Sequence, residues 1–104
     1  MATIGQPYTS GVWTVRDGSE DEFVSRWTEF VRSAVDGWPG AQSFVLIQDR
    51  GDPHRFVSFG AWDDWATVDG WRTSPAFAEH MRACRELCED FQPGDSTLRA
   101  AVLL

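Results

Sequence analysis

The residue types able to do chemistry gather in the second half of the chain. Trp62, Trp65 and Trp71 lie within the stretch Phe56–Phe77, and His80 follows one helical turn after Phe77. A flat indole at Trp71 suits a flat aromatic partner through stacking and apolar burial. The competing reading is core packing between a short helix and a sheet. A neutral imidazole at His80, in a partly dry pocket, could take a phenolic proton near neutral pH. The competing reading is a marginal histidine with no role. Arg72 could orient a carboxylate or an enolate oxygen, or lie solvated on its helix. Trp62 and Phe77 could add walls to the same pocket. Trp27, earlier in the chain, could join them or serve as core or interface. His54 follows Asp52-Pro53 in a turn and is expected to be exposed and inert.

His80, Cys84 and Cys88 recur at i, i+4 and i+8 of an expected helix. Eight helical residues advance about 12 Å, whereas zinc–ligand bonds are about 2.0–2.3 Å. One ion cannot hold all three, so small apolar packing is expected and no metal. Thiols on successive turns are also poorly placed for a disulfide, and reduced cysteines in a reducing compartment are the simpler expectation. The chain has no phosphate-cradling Gly-rich loop, no GxSxG elbow and no HExxH. A nucleotide cofactor is therefore not expected.

The elements that would position these residues belong to one domain, residues 1–104 with a core at about 8–103, as expected for a chain of 104 residues. At 42% hydrophobic and 13% aromatic it can bury a core, though a chain this small gains from burial against a second copy. The net charge is −7 and every basic side chain except the histidines is Arg. An acidic chain without a basic cluster argues against nucleic acid and against anionic membranes. No apolar run approaches the roughly 20 residues of a membrane span. Met1–Tyr8 lacks a basic-then-apolar leader pattern, so a cytoplasmic location is the default expectation.

A loose arm is expected over Met1–Pro7. Tyr8–Arg16 alternates and predicts a first strand, with Asp17-Gly18 as its exit turn. Ser19 and Glu22 have the form of a capping box, opening a helix whose apolar stripe runs Phe23, Trp27, Phe30, Ala34 and Trp38 to a stop at Pro39-Gly40. Further strands are predicted over Ser43–Gln48 and Arg55–Trp62. Asp63 and Asp64 are expected to cap a short helix over Asp64–Trp71. Ser74 as N-cap and Pro75 as first helical residue predict a third helix over Pro75–Phe91. Pro93-Gly94 would end it, with a last strand over Ser96–Leu103. This β-α-β-β-α-β order with an extra helical turn predicts an α+β, ferredoxin-like split fold. Phe44-Val45-Leu46-Ile47 does not alternate, which suggests cover on both sheet faces. The helices would cover one face and a second subunit the other, so a homodimer is expected.

Four motifs in order, GxWxVxxG (Gly11–Gly18), EDEFxxxW (Glu20–Trp27), WPGxxSxxLxQDxxDPxxFxSFxxW (Trp38–Trp62) and VxxWRxSPxF (Val68–Phe77), resemble the antibiotic biosynthesis monooxygenase family. The similarity spans about Tyr8–Val102. It implies a dimeric α/β barrel in which two four-stranded antiparallel sheets pack face to face, each with its helices on the other face and a pocket between. In that family a tryptophan matching Trp71 lines the pocket. Members include cofactor-free oxygenases that turn phenolic rings into quinones, and haem-degrading enzymes. The haem-degrading relatives carry an Asn on the first strand, a Trp in the short helix and a His on the last helix. The chain contains no Asn: the matching position is Gly11, and His80 stands about one residue early. The expected activity is a cofactor-independent monooxygenase taking a polycyclic phenol, anthrone or hydroquinone to a quinone with O2. Trp71 and His80 would be catalytic, and Trp62, Arg72, Phe77 and Trp27 substrate-binding. The alternatives are a haem-binding or haem-degrading protein and a non-catalytic dimeric ligand-binding module.

Overall fold

Strict alternation is written into the first strand. In a computed structural model that describes residues 2–102, β1 (Pro7–Val15) alternates buried and half-buried residues along its whole length. Successive side chains of a strand point to opposite faces, so one face of β1 is wholly covered. Gly18, with φ of 86°, makes the exit turn that only glycine takes without strain. α1 (Glu20–Gly37) follows and buries Phe23, Trp27, Phe30 and Ala34. The expected capping box is absent: the Ser19 side chain caps nothing, and Glu22 instead approaches Arg26 at 3.8 Å.

β2 (Ala41–Gln48), β3 (Arg55–Trp62), α2 (Trp65–Arg72), α3 (Pro75–Arg85) and β4 (Cys88–Thr97) complete the chain. Asp64 caps α2 by accepting from Thr67 N at 2.7 Å and Thr67 Oγ1 at 2.8 Å. These bonds hold its carboxyl below the usual carboxylate range. Asp63 does not share the cap; it accepts from the Gln42 amide. Ser74 accepts from Phe77 N at 3.2 Å and, with Pro75 behind it, restarts the helix as α3.

All strands pair antiparallel in one sheet of order β2-β3-β1-β4. With three helices on one face this is the ferredoxin-like α+β arrangement. The opposite face carries Val45, Ile47 and Phe59, exposed by 53%, 55% and 41%. No helix among the described residues is long and apolar enough to cross a membrane.

The last third of the chain departs from expectation. α3 stops at Arg85, not at Phe91, and β4 spans Cys88–Thr97, not Ser96–Leu103; Leu103 lies outside the described residues. Cys88 and Phe91 continue the apolar stripe of α3 in sequence, so helical spacing runs on past the true end. They face the core from β4 instead, and Cys84 and Cys88 do not share a helix. Pro93-Gly94, which reads as a turn, sits inside the strand opposite Gly11 and Ser10. β4 is an edge strand, where a missing N–H and charged side chains are tolerated. Both thiols are free and buried. Burial pushes Cys84 up to about 12 and Cys88 up to about 11, leaving both unreactive.

The amino-terminal arm is also less loose than expected. Gln6 is buried, and its Nε2 donates to Trp62 O at 3.3 Å and to Gln42 Oε1 at 3.0 Å. Gly5 N donates to Leu98 O at 2.7 Å, extending the β1–β4 pairing beyond the strands.

Candidate active site

A cavity of about 450 Å³ opens between the helices and the sheet, within the range of small-molecule pockets. α1 contributes Trp27, Phe30 and Val31; α2 contributes Trp71 and Arg72; α3 contributes Phe77 and Met81. From the sheet come Thr9 and Trp13, Phe44, Ser58 and Gly60, and the β4 residues Phe91 and Asp95.

Trp71 is 7% exposed and packed by aromatic rings. Its ring lies 4.7 Å from Trp62, 4.7 Å edge-on from Phe77 and 5.4 Å from Phe30, stacked. Trp27, Trp71, Arg72 and Phe77, four of the residues singled out above, thus meet at one cavity. Trp62 does not reach the lining; it is completely buried and packs against Trp71. His80 is not on the lining either. Its ring stacks on Phe30 at 5.7 Å, with 12° between the planes. The turn of α3 that presents Phe77 and Met81 to the cavity carries the residue at 80 round towards α1.

Arg72 is not free. Its guanidinium donates to the Asp95 carboxylate through Nη1 at 3.0 Å and Nη2 at 2.6 Å. The pair is partly exposed, with Arg72 at 30% and Asp95 at 51%. It ties the end of α2 to edge strand β4. The Arg72 guanidinium holds the Asp95 carboxyl below the usual carboxylate range. An anionic ligand group would have to compete with Asp95 for this fork. Sequence reading missed Asp95 because it follows Pro93-Gly94, which looks like a turn. Among the described residues these two are the only ionisable side chains on the lining.

Two further pairs lie at the sheet. Trp13 Nε1 donates to Ser58 Oγ at 3.0 Å, and Trp62 Nε1 donates to Thr9 Oγ1 at 3.0 Å. Both hydroxyls are on the lining and each residue is 8% exposed. Trp13 is also stacked on Phe91 with centroids 3.9 Å apart. Gly11 has no room for a side chain: a Cβ there would sit 2.7 Å from the Phe91 ring. His54, expected to be exposed, lies apart from the cavity, partly exposed among three carboxylates. Its Nε2 is 3.2 Å from Asp17 and 3.7 Å from Glu20, and its Nδ1 is 3.4 Å from Asp52.

Aromatic rings form much of the lining, with polar side chains at Thr9, Ser10, Ser58, Arg72 and Asp95. The family model for antibiotic biosynthesis monooxygenase matches residues 10–83. No curated protein sequence matches the chain. Among solved structures, SnoaB from Streptomyces nogalater, described as a cofactor-independent oxygenase, superposes with a TM-score of 0.85 at 22% identity, over 94% of this chain and 97% of that one. A conserved protein from Methanosarcina mazei superposes at 0.82 with 13% identity, over 92% and 95%. A putative antibiotic biosynthesis monooxygenase from Chloroflexus aurantiacus does so at 0.73 with 16% identity, over 93% and 96%. At these identities the structures establish a shared fold.

Proposed function

The chain belongs to the antibiotic biosynthesis monooxygenase family, and from that premise we propose that it is a cofactor-independent oxygenase of polycyclic phenols, anthrones or hydroquinones. The observation that carries this reading is the aromatic-walled cavity of about 450 Å³ whose ionisable groups among the described residues, Arg72 and Asp95, neutralise each other. SnoaB, of the same fold, is described as a cofactor-independent oxygenase.

For an anthrone the chemistry balances without a cofactor. The ring methylene gives a proton to water, and the carbanion passes one electron to O2. The radical pair joins as a C–O bond, and the peroxide anion so formed takes a proton back from water to give a hydroperoxide. Loss of water then breaks the O–O bond and leaves the carbonyl of a quinone. One oxygen atom of O2 enters the ring and the other leaves as water. The protein's part is to stack the ring on Trp71, with Phe77 and Trp27 beside it, and to keep bulk water from the anion. His80 enters through Phe30, the ring on which it is stacked. Trp62 enters as the support behind Trp71. Arg72 holds the rim with Asp95.

A homodimer closed over the open sheet face completes the reading. Val45, Ile47 and Phe59 form an apolar patch there that a second copy would remove from water.

The test is O2 uptake by metal-free, haem-free protein with an anthrone, measured against autoxidation. Uptake well above background is expected. Trp71→Ala should lower it at least about tenfold, the scale of lost ring positioning, and His80→Ala should lower it less. Uptake equal to autoxidation, or unchanged in Trp71→Ala, overturns the proposal.

A further inference from the structure

The floor of the cavity carries two hydroxyls on a diagonal. Thr9 pairs with Gly60 and Gly11 pairs with Ser58 across β1 and β3. All four point to the helix side of the sheet, so two hydroxyls and two glycines alternate on one small patch. Neither glycine adds a side chain to the patch; the Phe44 ring stands over Gly60 and the Phe91 ring over Gly11. A Cβ on Gly60 would lie 2.8 Å from Thr9 Oγ1, and one on Gly11 would lie 3.1 Å from Ser58 Oγ.

Each hydroxyl is oriented by an indole. Because Trp62 Nε1 and Trp13 Nε1 are pure donors, Thr9 and Ser58 must accept from them. Each O–H proton is then left over, and no acceptor for either is found among the described residues. A donated hydrogen bond also polarises the hydroxyl that receives it, strengthening its own donation. Two buried O–H donors, each accepting one indole N–H, thus face a cavity whose one carboxylate among the described residues, Asp95, is already paired with Arg72.

We propose that Thr9 and Ser58 together receive an oxygen atom of the bound ring, donating to a phenolic or enolic oxygen and favouring its anion. The proposal rests on the oxygenase reading for its substrate class and deepens it. Among the described residues the lining has no unpaired base, so the proton passes to solvent water, and the site's part is to stabilise the anion left behind, which two preorganised donors can do. Thr9 and Ser58 are thereby substrate-touching residues, and Trp13 and Trp62 are positioning residues behind them.

The test compares 2-naphthol with naphthalene, which lacks the oxygen, by equilibrium dialysis against the full chain. The parent is expected to bind 2-naphthol more tightly than naphthalene. Ser58→Ala and Thr9→Val should each weaken 2-naphthol about three- to tenfold, the worth of one hydrogen bond. Naphthalene should stay within about twofold, and Thr9→Ser should restore the parent's behaviour. Absorbance titration of the bound naphthol gives a second readout. Its phenol should ionise at lower pH on the parent than in solution, with the difference reduced in Ser58→Ala. Should Thr9→Val fail to fold, Ser58→Ala decides alone. Equal weakening of both ligands means that the hydroxyls serve only the indoles and overturns the proposal. So does unchanged naphthol binding, or a parent that does not favour naphthol. O2 uptake plays no part here. Absent uptake would sink the oxygenase reading with this contrast intact, and a lost contrast would leave that reading to its own test.

Discussion

His54 shows how a single side chain can matter away from the cavity. Its ring is hydrogen-bonded to Asp17, and Glu20 and Asp52 add negative charge around it. The Asp17 bond raises its pKa above the usual 6.5. The folded state therefore holds the proton more tightly than the unfolded chain. That contribution to stability is fully present below pH 6.5 and is lost as pH rises through the higher folded-state value. The melting temperature of the parent should exceed that of His54→Gln by more at about pH 5.5 than at about pH 8.5. Equal differences at both pH values would show that the acidic neighbours do not sense the imidazole. The pairing joins residues near the end of β1, the start of α1 and the β2–β3 turn, so no local sequence pattern announces it.

At the scale of elements, the sheet is shaped by what β1 and β3 omit. Gly60 leaves the space that the Phe44 ring occupies; a Cβ there would sit 2.4 Å from that ring. The nearest atoms belong to a packed aromatic and to the Thr9 hydroxyl, so neither side can retreat freely. Gly60→Ala should cost about 1–3 kcal/mol in urea unfolding, as overpacked cores do. It should also displace Thr9 from Trp62. No loss of stability would mean that Phe44 swings out without cost. Sequence reading located β3 over the same residues, Arg55–Trp62, because aromatic and β-branched residues dominate it. The ring that fills the glycine's space comes from β2, through a register that only pairing sets. β4 is the opposite case. Its Pro93, Gly94 and acidic residues all disfavour a strand, and only its place at the sheet edge makes them harmless.

For the whole molecule, the question is what lies on the open face. Val45, Ile47 and Phe59 are exposed on one side of a sheet whose other side is covered by the helices. If a second copy covers them, Val45→Asp should convert the dimer to a monomer in sedimentation equilibrium. It should leave the fold as judged by circular dichroism. An unchanged sedimentation mass in Val45→Asp, or a monomeric parent, would remove this face as the contact. Since the cavity lies on the helix side, ring binding should survive in the monomer.

The sequence alone determined the class of fold, most of the elements and the family. Those follow from alternation, helical spacing, caps at Asp64 and Ser74, and the order of motifs, all of which are local. The aromatic wall around Trp71 was legible for the same reason: Trp71, Arg72 and Phe77 are close in the chain and flank one helix break. Only the tertiary structure decided where α3 stops, that His80 meets Phe30, that Asp95 occupies Arg72, and that two indoles hold Thr9 and Ser58. The bonds from Trp13 to Ser58 and from Trp62 to Thr9 span 45 and 53 residues. They exist because antiparallel register sets which side chains meet across β1 and β3. A one-residue slip would turn every one of them to the other face.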